Sequence, residues 1–92
     1  MSWIIKYSAS SEKDLRQLGK IQRERIKKVM DNRVALLDNP RSIGESLSGP
    51  LKEYWKYRVG DYRLICDIQD NIITILVLAI GDRKEVYRKH VN

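Results

Sequence analysis

Hydrophobic and polar positions change period along this chain, and the changes mark its elements. Between Trp55 and Ile68 the period is two: Trp55, Tyr57 and Val59 alternate with Lys56 and Arg58, and Tyr62, Leu64, Cys66 and Ile68 resume the alternation. Two alternating runs about Gly60-Asp61 predict a β-hairpin, and Gly in the first central position fits a type II′ turn. That loop sets Val59 opposite Tyr62, Arg58 opposite Arg63, Lys56 opposite Ile65 and Trp55 opposite Cys66. Cross-strand pairs share a face, so Trp55, Tyr57, Val59, Tyr62, Leu64, Cys66 and Ile68 read as core. The other face collects Lys56, Arg58 and Arg63, with Asp67 further along beside Tyr54. Like charges directly opposite each other destabilise a sheet. A register that pairs two arginines therefore points to a polyanionic ligand.

Elsewhere the pattern predicts a short strand at Trp3-Ile4-Ile5-Lys6-Tyr7, followed by serines at 8, 10 and 11 that offer helix N-caps. Ser11 with Asp14 three residues on resembles a capping box. Leu15 and Leu18 mark a first helix that breaks at Gly19. Ile26, Val29, Met30, Val34 and Leu37 follow at three- and four-residue spacing, the signature of a longer helix. Asn39-Pro40 stops it, because proline disfavours helical geometry in the residue before it. Arg41 to Lys52 reads as loop. After the hairpin and a turn at Gln69-Asp70-Asn71, the run Ile72 to Ile80 is almost unbroken in apolar residues, as expected of an interior strand covered on both faces. Gly81 ends it and a charged tail follows. The fold class is α+β, in the order β-α-α-β-β-β: a helical hairpin packed on one face of a small, mostly antiparallel, four-stranded sheet. No linker or repeat interrupts residues 1–92, which read as a single domain.

Composition narrows the partners. The net charge is +6, with 33% of residues charged, which favours a soluble protein with an acidic partner. One cysteine excludes an intramolecular disulfide and a cysteine-based zinc site, and Cys66 falls on the core face as a packed thiol. No signal peptide precedes the first strand and no apolar run is long enough to span a bilayer. These features predict a cytoplasmic protein that does not associate with membranes.

Cationic residues form three groups. Arg23, Arg25, Lys27, Lys28 and Arg33 lie on the second helix, where they are the solvated side of an amphipathic helix or a ridge, with Arg23 and Lys27, that contacts RNA phosphates. The hairpin face is the second group. The tail is the third: Arg83, Lys84, Arg88, Lys89 and His90, with Tyr87 among them. Arg83 emerges after an interior strand, where it can turn towards the hairpin's cations. The sequence has neither metal-ligand spacing nor a P-loop, and neither a dinucleotide fingerprint nor a serine-nucleophile motif; no metal or cofactor is expected. Catalysis would rest on lysine, arginine and tyrosine. Cations stabilise negative charge developing on phosphorus, a lysine among other cations can act as a base, arginine clamps phosphate, and tyrosine stacks on a base. Such a set suits RNA cleavage by the substrate's own 2′-hydroxyl.

Over nearly its whole length the chain resembles a toxin of the RelE/ParE superfamily, on the RelE side. The resemblance rests on Lys13-Asp14-Leu15, Asn39-Pro40, Leu47-Ser48-Gly49, Tyr57-Arg58-Val59-Gly60-Asp61-Tyr62-Arg63, and Gly81-Asp82-Arg83-Lys84-Glu85-Val86-Tyr87. It implies the toxin of a type II toxin–antitoxin system, a ribosome-dependent endoribonuclease that cuts mRNA in the A site. A small acidic or amphipathic RelB-like antitoxin would hold it inactive, in an assembly that can reach a heterotetramer. By position, the resemblance implies Lys56 as general base on the 2′-hydroxyl, Arg63 as clamp on the scissile phosphate, Arg83 at the leaving 5′-oxygen and Tyr87 stacked on a nucleotide. Arg58, Lys52, Lys84 and Arg88, with Arg23 and Lys27, would contact the rest of the RNA. The chain departs from the family pattern at Tyr54, where a second lysine precedes the base, which leaves Lys56 and Lys52 as alternative bases. Two other readings stand beside this one: a ParE-like inhibitor of DNA gyrase with the same fold, and a non-catalytic basic nucleic-acid-binding module. The set Lys56, Arg63, Arg83 and Tyr87 discriminates, since a gyrase binder has no need of it.

Overall fold

The computed structural model describes residues 2–82. The elements are β1 (Ile4–Tyr7), α1 (Ala9–Arg16), α2 (Lys20–Asn32), β2 (Glu45–Ser46), β3 (Trp55–Val59), β4 (Tyr62–Gln69) and β5 (Thr74–Asp82). The sheet runs β1-β5-β4-β3-β2, with β1 parallel to β5 and every other pair antiparallel. The α+β architecture and the mostly antiparallel sheet are as expected, but there are five strands rather than four. The extra strand, β2, falls inside the segment read as loop, because two residues are too few to show a period. Gly44 delivers the chain to it at φ +83°, where a Cβ would run into the Lys56 carbonyl and the Trp55 indole.

The hairpin has the register its alternation predicts, with Val59 opposite Tyr62 and Arg58 opposite Arg63. Gly60 has φ +60° while Asp61 keeps a negative φ, the combination of a type II′ turn. Tyr57, Val59, Leu64, Cys66 and Ile68 are buried with Leu15, Ile26, Met30 and Val34 beneath the two helices, and Trp55 and Tyr62 pack against them. Removing this apolar surface from water, at about 25 cal/mol per Å², is what holds α1 and α2 to one side of the sheet.

Local details differ from the sequence reading for physical reasons. The N-cap of α1 is Ser8: its hydroxyl accepts from Ser11 N at 3.1 Å, and Ser11 Oγ donates to the Ser8 carbonyl at 3.0 Å. The cap therefore falls three residues before Ser11, the position the capping-box pattern indicates. α2 ends at Asn32, and Val34 sits in a short 3-10 turn over residues 34–36. The apolar spacing runs on because that turn still points Val34 into the core. Likewise β5 starts at Thr74, since Ile72 closes a 3-10 turn and Ile73 is left-handed at φ +49°. This conformation is unusual for a β-branched residue, and it presents the Ile73 carbonyl to the N–H of Ile4 at 2.9 Å.

The near-continuous apolar run of β5 has two causes. A bulge at Leu78 inverts its parity, since Ile65 opposes Ala79 while Cys66 opposes Val77. The helix face therefore takes Ile75, Val77 and Ile80. The second face is covered by a loop rather than by helices: Ile65 and Ala79 lie under Leu47, Leu51 and Tyr54.

The long segment between α2 and β3 is tied down by polar contacts. Trp55 Nε1 donates to the Ile43 carbonyl at 2.8 Å and Tyr57 Oη to the Pro40 carbonyl at 2.5 Å. Arg41 grips Asp70 with both guanidinium nitrogens, at 3.0 and 2.9 Å, which holds the Asp70 carboxyl below its ordinary range. Among the described residues no helix is long and apolar enough to cross a membrane.

Candidate functional site

Strand parity assembles the site on the face of the sheet away from the helices. Arg58 on β3, Arg63 on β4 and Gly81 on β5 form one row across three strands. Lys56, Ile65 and Ala79 form the next. Lys56 is therefore the diagonal neighbour of Arg63, at a typical backbone separation of about 7–8 Å. Gly81 puts no side chain of its own beside Arg63, and its backbone is buried.

Each cation has a distinct setting. The Lys56 side chain is only 19% exposed, and its ammonium lies 3.8 Å from Glu45, its partner across the β2–β3 pair. Glu45, at 74% exposure, is the solvent-facing member. Arg58 is exposed and its Nε donates to the Gly60 carbonyl at 3.3 Å, folding the side chain back along the turn. Arg63 is half-buried. An opposed arginine pair at the tip of a hairpin is a concentrated positive field. The chemistry it supports is the binding of an anion between the two side chains.

Two other groups bear on what the site can do. Burial pushes the Cys66 thiol far above its ordinary range, so it remains a packed thiol and not a nucleophile. Tyr57 is likewise driven up by burial, and its phenol is spent on the Pro40 carbonyl.

Of the other residues singled out from sequence, Lys52 is exposed just after the 3-10 turn at 49–51. A further turn, with Tyr54 N donating to the Leu51 carbonyl, separates it from β3, so strand parity does not carry it into the row of Lys56. Arg23 and Lys27 stand apart from this face, on the second helix as expected. They ride on α2, whose Ile26 and Met30 pack against the opposite face of the sheet. Arg23 donates to the Leu18 carbonyl at 3.1 Å, closing the turn between the helices. The helical period alone does not say which side of the sheet a helix covers. Arg83, Lys84, Tyr87 and Arg88 lie outside the described residues.

One cation of α2, Arg25, comes to the hairpin, although the sequence places it only among the helix cations. Arg25 reaches over the turn, where a Cβ on Gly60 would stand 2.8 Å from its Nη1. Arg25, Arg58 and Arg63 thus surround the hairpin tip from both sides. The only signal in the sequence was the bare Gly60, which reads equally well as turn chemistry.

Comparison with known proteins follows the same lines. A model of the ParE toxin of the type II toxin–antitoxin system parDE matches residues 5–87. The mRNA interferase toxin RelE of Escherichia coli K12 is 31% identical over 95 residues, covering 100% of this chain and 97% of that protein. In structure, the toxin–antitoxin complex RelBE2 of Mycobacterium tuberculosis superposes with a TM-score of 0.81 at 20% identity, over 90% of this chain and 93% of that one. A free-state mutant of the E. coli toxin RelE gives 0.72 at 26% identity, over 99% and 96%. The chain belongs to the ParE toxin family, within the RelE/ParE superfamily, and is a RelE-like toxin of the type II toxin–antitoxin class.

Proposed function

We propose that this toxin is a ribosome-dependent endoribonuclease that cleaves mRNA in the A site, with the substrate's 2′-hydroxyl as nucleophile. The observation that carries the reading is the Arg58–Arg63 pair with Lys56 on the adjacent diagonal of the same face. The 31% identity to the E. coli mRNA interferase, end to end, supports it.

In this mechanism the 2′-oxygen forms a bond to phosphorus as the P–O5′ bond breaks. Lys56, in its neutral form, takes the 2′-hydroxyl proton at Nζ. Arg63 neutralises the charge that gathers on the phosphoryl oxygens, an interaction stronger in the transition state than in the ground state. Arg83 stabilises the departing 5′-oxygen, which takes a proton from Arg83 or from water and leaves as a hydroxyl, and Tyr87 stacks on a nucleotide. The other product is a 2′,3′-cyclic phosphate, and no protein nucleophile is consumed. Arg58 and Lys52, with Lys84 and Arg88, hold flanking phosphates. Glu45, opposite Lys56 on β2, holds the Lys56 ammonium until RNA arrives.

The natural inhibitor is a RelB-like antitoxin, as in the RelBE complexes that share this fold, and the site of action is the cytoplasm. The match to the ParE model favours one competing reading, inhibition of DNA gyrase through protein contacts alone. Mapping mRNA 5′ ends after brief expression separates the two. New ends inside translated codons, abolished by Arg63→Ala, are expected. DNA damage without such ends would overturn the ribonuclease reading in favour of gyrase.

A further inference from the structure

We propose that Asp14 is a positioning residue: its buried carboxylate replaces a neighbouring strand at the end of β5 and so fixes Gly81 opposite Arg63. The consequence for cleavage rests on the ribonuclease reading above; the structural part does not.

β1 accompanies β5 only as far as the Tyr7–Val77 pair, whereas β5 continues to Asp82. Beyond Val77 the β1-side edge of β5 has no strand partner among the described residues, and unmet backbone groups are not tolerated in a buried position. The first turn of α1 and its flank take over. Ser8 N donates to the Val77 carbonyl at 2.9 Å, and Ser8 Oγ to the Leu78 carbonyl at 3.1 Å. The bulge at Leu78 then turns the next edge N–H, that of Ile80, into the carboxylate of Asp14, whose Oδ2 accepts it at 2.9 Å. Asp14 is 6% exposed, and a carboxylate so far from water is sustained by such bonds.

The geometry matters because of what Ile80 adjoins. Ile80 opposes Leu64, and the next pair along is Gly81 with Arg63. The clamp therefore sits one residue from the row that holds the arginines, on a strand that leads on to Arg83. Without it the last residues of β5 would fray from the free edge, and Arg63 would lose the fixed backbone beside it. The bond to Ile80 calls for an acceptor oxygen at the right depth. That requirement separates it from a merely structural acid.

The test compares Asp14→Ala with Asp14→Asn in the full chain, by amide hydrogen exchange and by steady-state cleavage of ribosome-bound mRNA. Asp14→Ala should speed exchange at Ile80 and Gly81 on the order of 10- to 100-fold, leaving Cys66 and Ile75 unchanged. It should lower kcat about tenfold with KM within about twofold, the signature of lost transition-state interactions. Asp14→Asn, whose amide oxygen still accepts from Ile80, should restore both. Should Asp14→Ala fail to fold, Asp14→Glu carries the test with the same readouts, because it keeps the charge and displaces the acceptor by one methylene. Unchanged exchange at Gly81, or faster exchange with unaltered kcat, overturns the proposal. If wild-type protein cuts no mRNA, the ribonuclease reading fails, and the exchange result alone decides whether Asp14 is the clamp.

Discussion

The two faces of this sheet are made by the same strands and answer to different physics. Under the helices, Leu64, Cys66, Val77 and Ile80 are completely or almost completely buried against Ile26, Met30 and Val34. On the other face only a small cluster of Leu47, Ile65 and Ala79 is closed over, and the rest of the hairpin carries Lys56, Arg58 and Arg63. Adjacent positions such as Arg63 and Leu64 thus belong to separate regimes. One face contributes stability through burial; the other sets like charges opposite each other, which costs stability. The opposed arginine pair is the feature on which the proposal of a binding surface rests.

Substitutions can break or sharpen that contrast. Leu64→Ala strikes the closed face and should destabilise the fold by about 2–5 kcal/mol through lost burial and a residual cavity, read from denaturant unfolding. Arg63→Ala, one residue away, should leave the unfolding midpoint within about 0.5 kcal/mol of wild type. The same variant should cost on the order of 10²- to 10³-fold in mRNA cleavage, as when one transition-state donor is removed. A large stability loss at Arg63 would mean that the open face is structural after all.

The hairpin tip joins the two regimes. Gly60→Ala would force an L residue to φ +60° and press a methyl group against Arg25, so a cost of about 1–3 kcal/mol is expected. Thermal unfolding measures it, and Gly60→Ala with Arg25→Ala together should recover only the part due to the clash.

The smallest effect belongs to Arg41 and Asp70, which lie far out in solvent. The Asp70 carboxyl titrates below its ordinary value of 3.8 because Arg41 bonds it, so the pair stabilises the protein above that value. Its contribution fades as pH falls through the native carboxyl's lower value. Screening keeps the amount to roughly 0.2–1 kcal/mol. Asp70→Asn should therefore flatten the acid limb of the stability curve only slightly, and a loss larger than this would show that the pair anchors the whole segment before β2.

What could be read along the chain is what depends on near neighbours. Period-two alternation about Gly60-Asp61 settles the hairpin's register, its turn type and the division of Lys56, Arg58 and Arg63 from Tyr57, Leu64 and Cys66, because side chains on a strand must point alternately up and down. The helical spacing of Ile26 and Met30 settles that α2 has an inward stripe, but not which side of the sheet it covers. Hence the spacing does not show that Arg25, of the helix cations, reaches the turn at Gly60. The two-residue β2, the bulge at Leu78 and the Asp14–Ile80 bond were decided only by the tertiary structure. Asp14 and Ile80 stand 66 positions apart, and an edge N–H left unmet where β1 stops is visible only once the strands are laid side by side. Alternation is a property of one strand, whereas satisfying a buried donor is a property of everything packed around it.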